Sequence, residues 1–410
     1  MNVEEVKTIL TSNRNQKIKL IPLLLILMTV FSIFSYSVHA KSGANVDMED
    51  NYSFAKILLS KDGDTGKNNG YLLPQRRINL LDINSDVVAE YIEFQSESRE
   101  YVGYIIIDVH SGHIYDYSNE GNLFEGLLIK SGLTYDDVLA GKVYFVNPFE
   151  IYVELTDGRI IDLMPQSAIY PSEITRSQLE QTFSLRQVEY KSPIEPELKS
   201  LEVPNTTLMR SASFTPCVTS DFDNLKIVDA NGRRVYPHDH CSPTAATTIM
   251  KYFKHLGESN LSSSYSNNDV FAKFYIAMDT NGGTSGTKDE GTARSKIAPS
   301  YTKVGRDLGA KPKKSSKLSG TSSNTMISAL NGGKLLHVSV DKLGSSKGGH
   351  SIAVVSYSNG YFKIADGWSA YFRNVSYSDM SVKQVVGINY KLWIYGYYKE
   401  ATKTKNRTYK

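Results

Sequence analysis

Short alternating stretches of apolar and polar residues fill the region between residues 79 and 163. Apolar, β-branched and aromatic side chains, which favour strands, dominate three of them: 101–109, 143–146 and 151–155. Asp157-Gly158 then provides a hairpin signal, and the apolar residues of 123–133 are spaced as in a helix. This pattern predicts a small α+β unit.

A helical pattern follows further along the chain, at 243–256. Ser242 is a favourable residue to cap its start, Pro243 is tolerated in the first turn, and Gly257 is suited to end it. The buried face is predicted from apolar residues at helical spacing: Ala246, Ile249, Met250, Phe253 and Leu256.

The last quarter of the chain has the pattern of strands. We predict them at 335–340, 351–357, 361–365 and 390–398. Asn359-Gly360 predicts a tight hairpin between the second and third. Shorter helices are predicted at 176–186 and near 300–308.

These patterns divide the chain into segments. Arg14, Lys17 and Lys19 precede an apolar run, and Val38-His39-Ala40 has the small residues of a signal-peptidase site. An uncleaved membrane anchor is the alternative. The full division is a signal peptide at 1–40, a linker at 41–70, a propeptide-like α+β domain at 71–164, a linker and maturation region at 165–213, a catalytic domain at 214–400 and a basic disordered tail at 401–410.

Composition narrows the classes of protein. The 410 residues carry a net charge of +3, which argues against a dedicated nucleic-acid binder, and 40% are hydrophobic, as in folded proteins. Export predicts a secreted or extracellular protein, with cell-surface association left open and membrane contact only through the signal. The two cysteines, Cys217 and Cys241, exclude a disulfide scaffold but allow one bridge.

Three residues have the features of a thiol-based site. Cys241 opens the predicted helix, where partial positive charge lowers a thiol pKa and backbone N–H groups can bind an oxyanion. His350 follows Gly349 at the mouth of an apolar strand, and Asp366 ends the next strand of the hairpin. We expect the Asp366 carboxylate to orient the His350 ring, and Trp368 to shield that contact.

These motifs resemble the papain-like peptidases, especially the bacterial C39-like and streptopain-like branches. The resemblance rests on three segments: His240–Ala246 in the helix start, 348–355 around the histidine, and Ala365-Asp366-Gly367-Trp368. It implies a papain-like α+β fold, a cysteine nucleophile at Cys241, a base at His350 and an orienting residue at Asp366. It further implies an inhibitory N-terminal propeptide, protein or peptide substrates, and no cofactor or metal.

The sequence departs from the family in one respect. Papain-like peptidases have a glutamine shortly before the cysteine, and none lies between Gln187 and Cys241. The candidate oxyanion donors are therefore the Cys241 N–H, Asn231, His238 and His240.

Other interpretations remain open. Cys241 could be a small buried residue or form a disulfide with Cys217, and His238, His240 and Cys241 could ligate a metal, although their spacing fits no strong zinc pattern. The alternative functions are a thiol-dependent cell-wall peptide hydrolase or acyl transferase, and an inactive papain-like binding protein.

Overall fold

A computed structural model describes residue 59 and residues 72–165, 172–189, 214–228, 232, 234–257, 264–282, 291–309, 315–341 and 349–389. The predicted signal peptide, the strand at 390–398 and the basic tail lie outside these residues. So do the linker at 41–70, apart from Leu59, and Asn231.

The N-terminal module comprises the described residues from 72 to 189. Its strands are β1 Leu73–Leu81, β2 Val87–Gln95, β3 Tyr101–Asp108, β4 Ile114–Ser118, β5 Lys142–Asn147, β6 Glu150–Glu154, β7 Ile160–Asp162 and β8 Ser172–Ile174. Its helices are α1 Leu123–Ser131, α2 Tyr135–Ala140 and α3 Arg176–Glu189.

The C-terminal module comprises the described residues from 214 to 389. Its helices are α4 Cys241–His255, α5 Asn267–Ala277, α6 Arg294–Asp307 and α7 Ser323–Asn331. Its strands are β9 Ile227–Val228, β10 Arg234–Val235, β11 Ser316–Lys317, β12 Leu335–Asp341, β13 Gly349–Ser358, β14 Tyr361–Ala365, β15 Arg373–Ser376 and β16 Val382–Ile388.

One sheet runs through both modules. Among the described residues it has 14 strands, in the order β11-β16-β12-β13-β14-β15-β4-β3-β2-β1-β5-β6-β7-β8. Neighbouring strands are antiparallel except β1 and β5, which are parallel. The modules join where β15 pairs with β4, with Asn374 opposite Tyr117 and Val375 opposite Asp116. The α+β class is therefore confirmed.

The C-terminal part of the sheet is covered on both faces. On one face, Ile352 and Val354 of β13 belong to a core that also includes residues of α1 and α7. On the other face, Ala353 and Val355 pack in a core with α4, α5 and α6. This explains the continuous apolar run of β13, since neighbouring side chains point to opposite buried faces.

Local signals account for several boundaries. Asn122 caps α1 by accepting a hydrogen bond from the Glu125 N–H, and α1 ends at Gly132 with a φ of 71°. Asn359 and Gly360 have φ values of 51° and 91°, as the two central positions of a type I′ hairpin require. The predicted hairpin between β13 and β14 is confirmed.

Two predicted bounds need correction, one at the start of α4 and one at the end of the N-terminal module. The prediction that Ser242 caps the long helix is wrong, because α4 begins at Cys241 with His240 in the cap position. The predicted helix at 176–186 is confirmed as α3. The predicted linker around it is wrong in part, because β8 pairs with β7, and Leu179 and Phe183 of α3 pack against Tyr144. Residues 172–189 thus extend the N-terminal module past position 164.

Candidate functional site

Cys241 lies at the first position of α4, against the strand that begins at Gly349. Its thiol is hydrogen-bonded by the backbone N–H and the hydroxyl of Ser351, and by the Ser242 hydroxyl. The two hydroxyls are themselves 2.6 Å apart. As the first helical residue, Cys241 has an N–H without an acceptor inside the helix, suited to an oxyanion.

The electrostatics of the thiol differ from the prediction. Burial raises the pKa of the Cys241 thiol, more than the hydrogen bonds from Ser351 and Ser242 lower it. The expectation that the helix start alone lowers this pKa is therefore wrong. Desolvation is the largest influence on the pKa of this thiol, so its thiolate requires a cationic partner.

His350 is the second residue of β13 and is 1% exposed. Its Nε2 lies 2.6 Å from the backbone carbonyl oxygen of Asp366. A carbonyl only accepts hydrogen bonds, so Nε2 carries the proton and Nδ1 the lone pair of the neutral ring. Gly349 allows this strand to approach β12, because a Cβ at that position would lie 2.2 Å from the Val340 carbonyl oxygen.

Asp366 meets His350 through its main chain, whereas the sequence predicted a contact through the carboxylate. The carboxylate accepts hydrogen bonds from the N–H groups of Trp368, at 2.8 Å, and Ser369, at 2.7 Å. It also accepts one from Arg373 Nη1 at 2.6 Å. Burial alone would raise the pKa of Asp366, but the Arg373 charge and these hydrogen bonds lower it.

Trp368 stacks on the His350 ring, with ring centroids 3.8 Å apart and planes 12° from parallel. The indole N–H donates to the Pro165 carbonyl at 3.1 Å, and Lys130 Nζ donates to the Trp368 carbonyl at 2.6 Å. Trp368 thus covers one face of the His350 ring. Its contacts with Pro165 and Lys130 also tie the site to the N-terminal module.

The turn of residues 366–369, called the Asp366 turn below, is held by a buried cation. The Arg373 guanidinium is 0% exposed and lies between the Asp366 and Asp116 carboxylates, both also 0% exposed. Its Nη2 donates to Asp116 at 2.6 Å and to the Pro148 carbonyl at 2.7 Å. Neighbouring negative charge raises the Arg373 pKa despite burial, whereas burial raises the pKa of Asp116 despite Arg373.

The two histidines proposed as oxyanion donors are engaged elsewhere. His240 is 1% exposed, with Nδ1 3.1 Å from Thr244 Oγ1 and Nε2 3.0 Å from Asp223 Oδ1. His238 is exposed, and its Nδ1 lies 2.9 Å from Asp239 Oδ2. Of the three candidates that the structure describes, the Cys241 N–H is the one that the geometry favours.

Cys217 and Cys241 are both free thiols. The Cys217 N–H donates to Thr248 Oγ1 at 3.1 Å. Thr248 lies seven positions after Cys241 along α4, a rise of about 10 Å, so Cys217 contacts the helix about two turns beyond Cys241. Burial raises the Cys217 pKa to about 11, so this thiol is inert.

Several residues that support the site were not predicted from the sequence. Ser351 and Ser242 bind the thiol, Lys130 and Pro165 hold Trp368, and Arg373 holds the Asp366 turn. Ser351 directly follows His350, which was a usable signal. Lys130 had none, because Trp368 lies 238 positions away, and the burial of Arg373 depends on Asp116, 257 positions away.

Two further features, metal-ligand clusters and membrane-crossing helices, concern the described part of the chain. No three His, Cys, Asp or Glu side chains there are grouped so that they suit a metal ion. None of the helices in those residues combines the length and the apolar character that crossing a bilayer requires.

Comparison with known proteins places these residues in context. No curated protein matches the chain. Residues 224–392 match the model of the Peptidase_C39 like family. This segment includes Cys241, His350 and Asp366, together with Trp368 and Arg373. The match supports a relationship of this part of the chain to the C39-like cysteine peptidases.

Proposed function

We propose that the chain is a secreted bacterial cysteine endopeptidase, made as a zymogen. Cys241 would be the nucleophile, His350 the base and Asp366 the residue that orients the base. One observation carries the proposal: α4 begins at Cys241 and packs on β13, the strand whose His350 has its Nε2 held by the Asp366 carbonyl. The family match over 224–392 supports the same chemistry.

The reaction follows from the tautomer of His350. With Nε2–H donated to the Asp366 carbonyl, Nδ1 accepts the Cys241 proton, and the thiolate attacks the peptide carbonyl carbon. The Cys241 N–H binds the developing oxyanion. The imidazolium then protonates the leaving amine as the C–N bond breaks, and a thioester remains. His350 then deprotonates a water molecule, whose oxygen bonds to the thioester carbon. The C–S bond breaks, the acid leaves, and the imidazolium returns its proton to the sulfur.

The raised thiol pKa is consistent with this sequence of steps. A thiolate out of water is stabilised by a neighbouring imidazolium. The thiol should therefore lose its proton only as His350 takes that proton up. The hydroxyls of Ser351 and Ser242 supply further hydrogen bonds to the sulfur. Stacked Trp368 covers one face of the imidazole ring.

The precursor part of the proposal has separate support. The export motif at 1–40 implies secretion. The N-terminal module contacts Trp368 and Arg373 beside the site, so a cut between the modules bears directly on the activity. We place the maturation cut between the modules, within 190–213.

Matched cysteine variants test the proposal. We expect Cys241→Ala to lower the rate of casein or peptide cleavage by more than about 1000-fold, because the nucleophile is lost. Cys217→Ala is the control and should keep the activity, since that thiol is buried away from the site. Cleavage by the Cys241→Ala protein at the wild-type rate would refute the assignment.

A second candidate is an inactive papain-like protein that binds partners. It is favoured by the burial that raises the Cys241 pKa and by the missing glutamine before the cysteine. Alkylation of Cys241 between pH 5 and 8 separates the two. Fast labelling at pH 5 that collapses in His350→Ala supports a thiolate–imidazolium pair, whereas labelling that rises only near about pH 8.5 supports the binding protein.

A further inference from the structure

The boundary between the modules has the structure of a protein interior. Strands β4 and β15 pair across it, so neither is an edge of the sheet. If the N-terminal module left, both strands would expose unpaired backbone groups. A propeptide that dissociates after cleavage should not share its sheet with the enzyme.

The apolar core also crosses the boundary. One cluster contains Tyr104 and Phe124 of the N-terminal module together with Phe362, Trp368 and Val375 of the C-terminal module. All five side chains are at most 2% exposed. Separation would uncover this apolar surface in both parts, which opposes dissociation.

Buried charges give the third link. Arg373 needs both carboxylates, because a guanidinium out of water is stable only when its charge and its N–H groups are satisfied. Asp116 supplies one carboxylate from β4 and also accepts a hydrogen bond from Tyr104 at 3.1 Å. Asp366 supplies the other and bears the carbonyl that holds His350.

A continuous path therefore joins β4 to the base. Asp116 fixes the guanidinium, the guanidinium fixes the Asp366 carboxylate, and the Asp366 carbonyl fixes Nε2 of His350. On the other side of the ring, Trp368 is fixed by Lys130 and Pro165.

We propose that the N-terminal module is a permanent part of the working enzyme, and that Asp116 is a positioning residue that holds the Asp366 turn through Arg373. A cut between the modules then yields two chains that stay bound. The permanence of the module stands on the interface alone, whereas the positioning role rests on the proposed function.

The first experiment nicks the chain without truncating it. A recognition site for a sequence-specific protease is inserted between Ser200 and Leu201, and the protein is cut and passed over a gel-filtration column in native buffer. We expect both fragments to elute together, with the Cys241 alkylation rate of the uncut protein. Elution of the fragments as separate species would overturn the permanence of the module.

The second experiment removes the Asp116 charge while keeping its shape. We expect Asp116→Asn to lower kcat by about 10- to 100-fold with KM nearly unchanged, because a displaced base misaligns the reaction. The His350-dependent alkylation of Cys241 at pH 5 should fall in parallel. Asp136→Asn, an exposed position of the same module, is the control.

The measurements of kcat, Cys241 labelling and co-elution show which of the proposals fails. The unfolding temperature of each variant is measured separately, and the rates are compared below it. A lower rate is then not due to unfolded protein. Unchanged kcat and unchanged labelling in Asp116→Asn would overturn the positioning role. A wild-type protein without peptidase activity would refute the proposed function, while co-elution and labelling would still test the interface and the positioning of His350.

Discussion

His337 in β12 offers a quantitative test of the structure. The ring is 0% exposed, and its Nδ1 lies 2.9 Å from the Tyr301 hydroxyl of α6. Burial, with a smaller effect from the charge of His350, lowers the His337 pKa to about 3. The ordinary histidine pKa is about 6.5, so the unfolded chain takes up a proton that the folded protein excludes.

The sign and size of the effect follow from linkage. The unfolded state binds more protons below about pH 6.5, so stability is full above that pH and is lost as the pH falls toward 3. Each pKa unit corresponds to about 1.4 kcal/mol. At pH 4.5, two units below the unfolded value, His337 alone should reduce the free energy of unfolding by about 2 to 3 kcal/mol.

The assay is urea unfolding at pH 7.5 and 4.5 for the wild type and His337→Gln. We expect the free energy of unfolding of the variant to fall less between these two pH values, by about 2 to 3 kcal/mol. Tyr301→Phe removes the hydroxyl partner but keeps the ring, so it should retain the wild-type pH dependence. Parallel losses in the wild type and His337→Gln would refute the reasoning.

Two further predictions concern the module contact and the start of β13. Burial alone would lower the His113 pKa, but Asp379, 2.8 Å away, raises it. The contact should therefore stabilise the folded protein below about pH 6.5. This stabilisation should be lost as the pH rises through the higher pKa of the folded state. The His113 side chain is 38% exposed, so solvent weakens the contact. His113→Gln should therefore lower Tm at pH 6 by no more than about 4 °C and leave Tm at pH 9 unchanged. An equal shift of Tm at both pH values would contradict this. Gly349→Ala should destabilise by about 1 to 3 kcal/mol and slow Cys241 alkylation, because the new Cβ meets the Val340 carbonyl. Gly126→Ala in α1, where a Cβ meets nothing within 4 Å, is the control and should be neutral or stabilising in the same denaturation assay.

Local chemistry made much of the C-terminal fold predictable. The apolar spacing of 243–256 and the Asn359-Gly360 dipeptide each encode their own geometry, and α4 and the β13–β14 hairpin appear where they were expected. Strands β3, β5 and β6 of the α+β unit were also located. The catalytic roles of Cys241, His350 and Asp366 remain predictions.

Elements stabilised mainly by distant contacts were missed. Strand β1 is largely exposed along its first half, so its pattern lacks the alternation that marks a strand. Helix α7 begins in a Ser-rich stretch for which no helix was predicted, although Ser322 caps it and Met326 and Leu330 are buried. The carboxylate of Asp366 was assigned to His350 because no local signal shows that Arg373 binds it instead.

The pairing of β4 with β15 also has a kinetic consequence. Asp116 and Arg373 are 257 positions apart in sequence, and loops of such length close slowly during folding. The Asp366 turn is therefore expected to become ordered late, after nearly the whole chain has been synthesised and both modules have met. A chain interrupted before β15 would contain Cys241 and His350 but would lack the cation that holds their support in place.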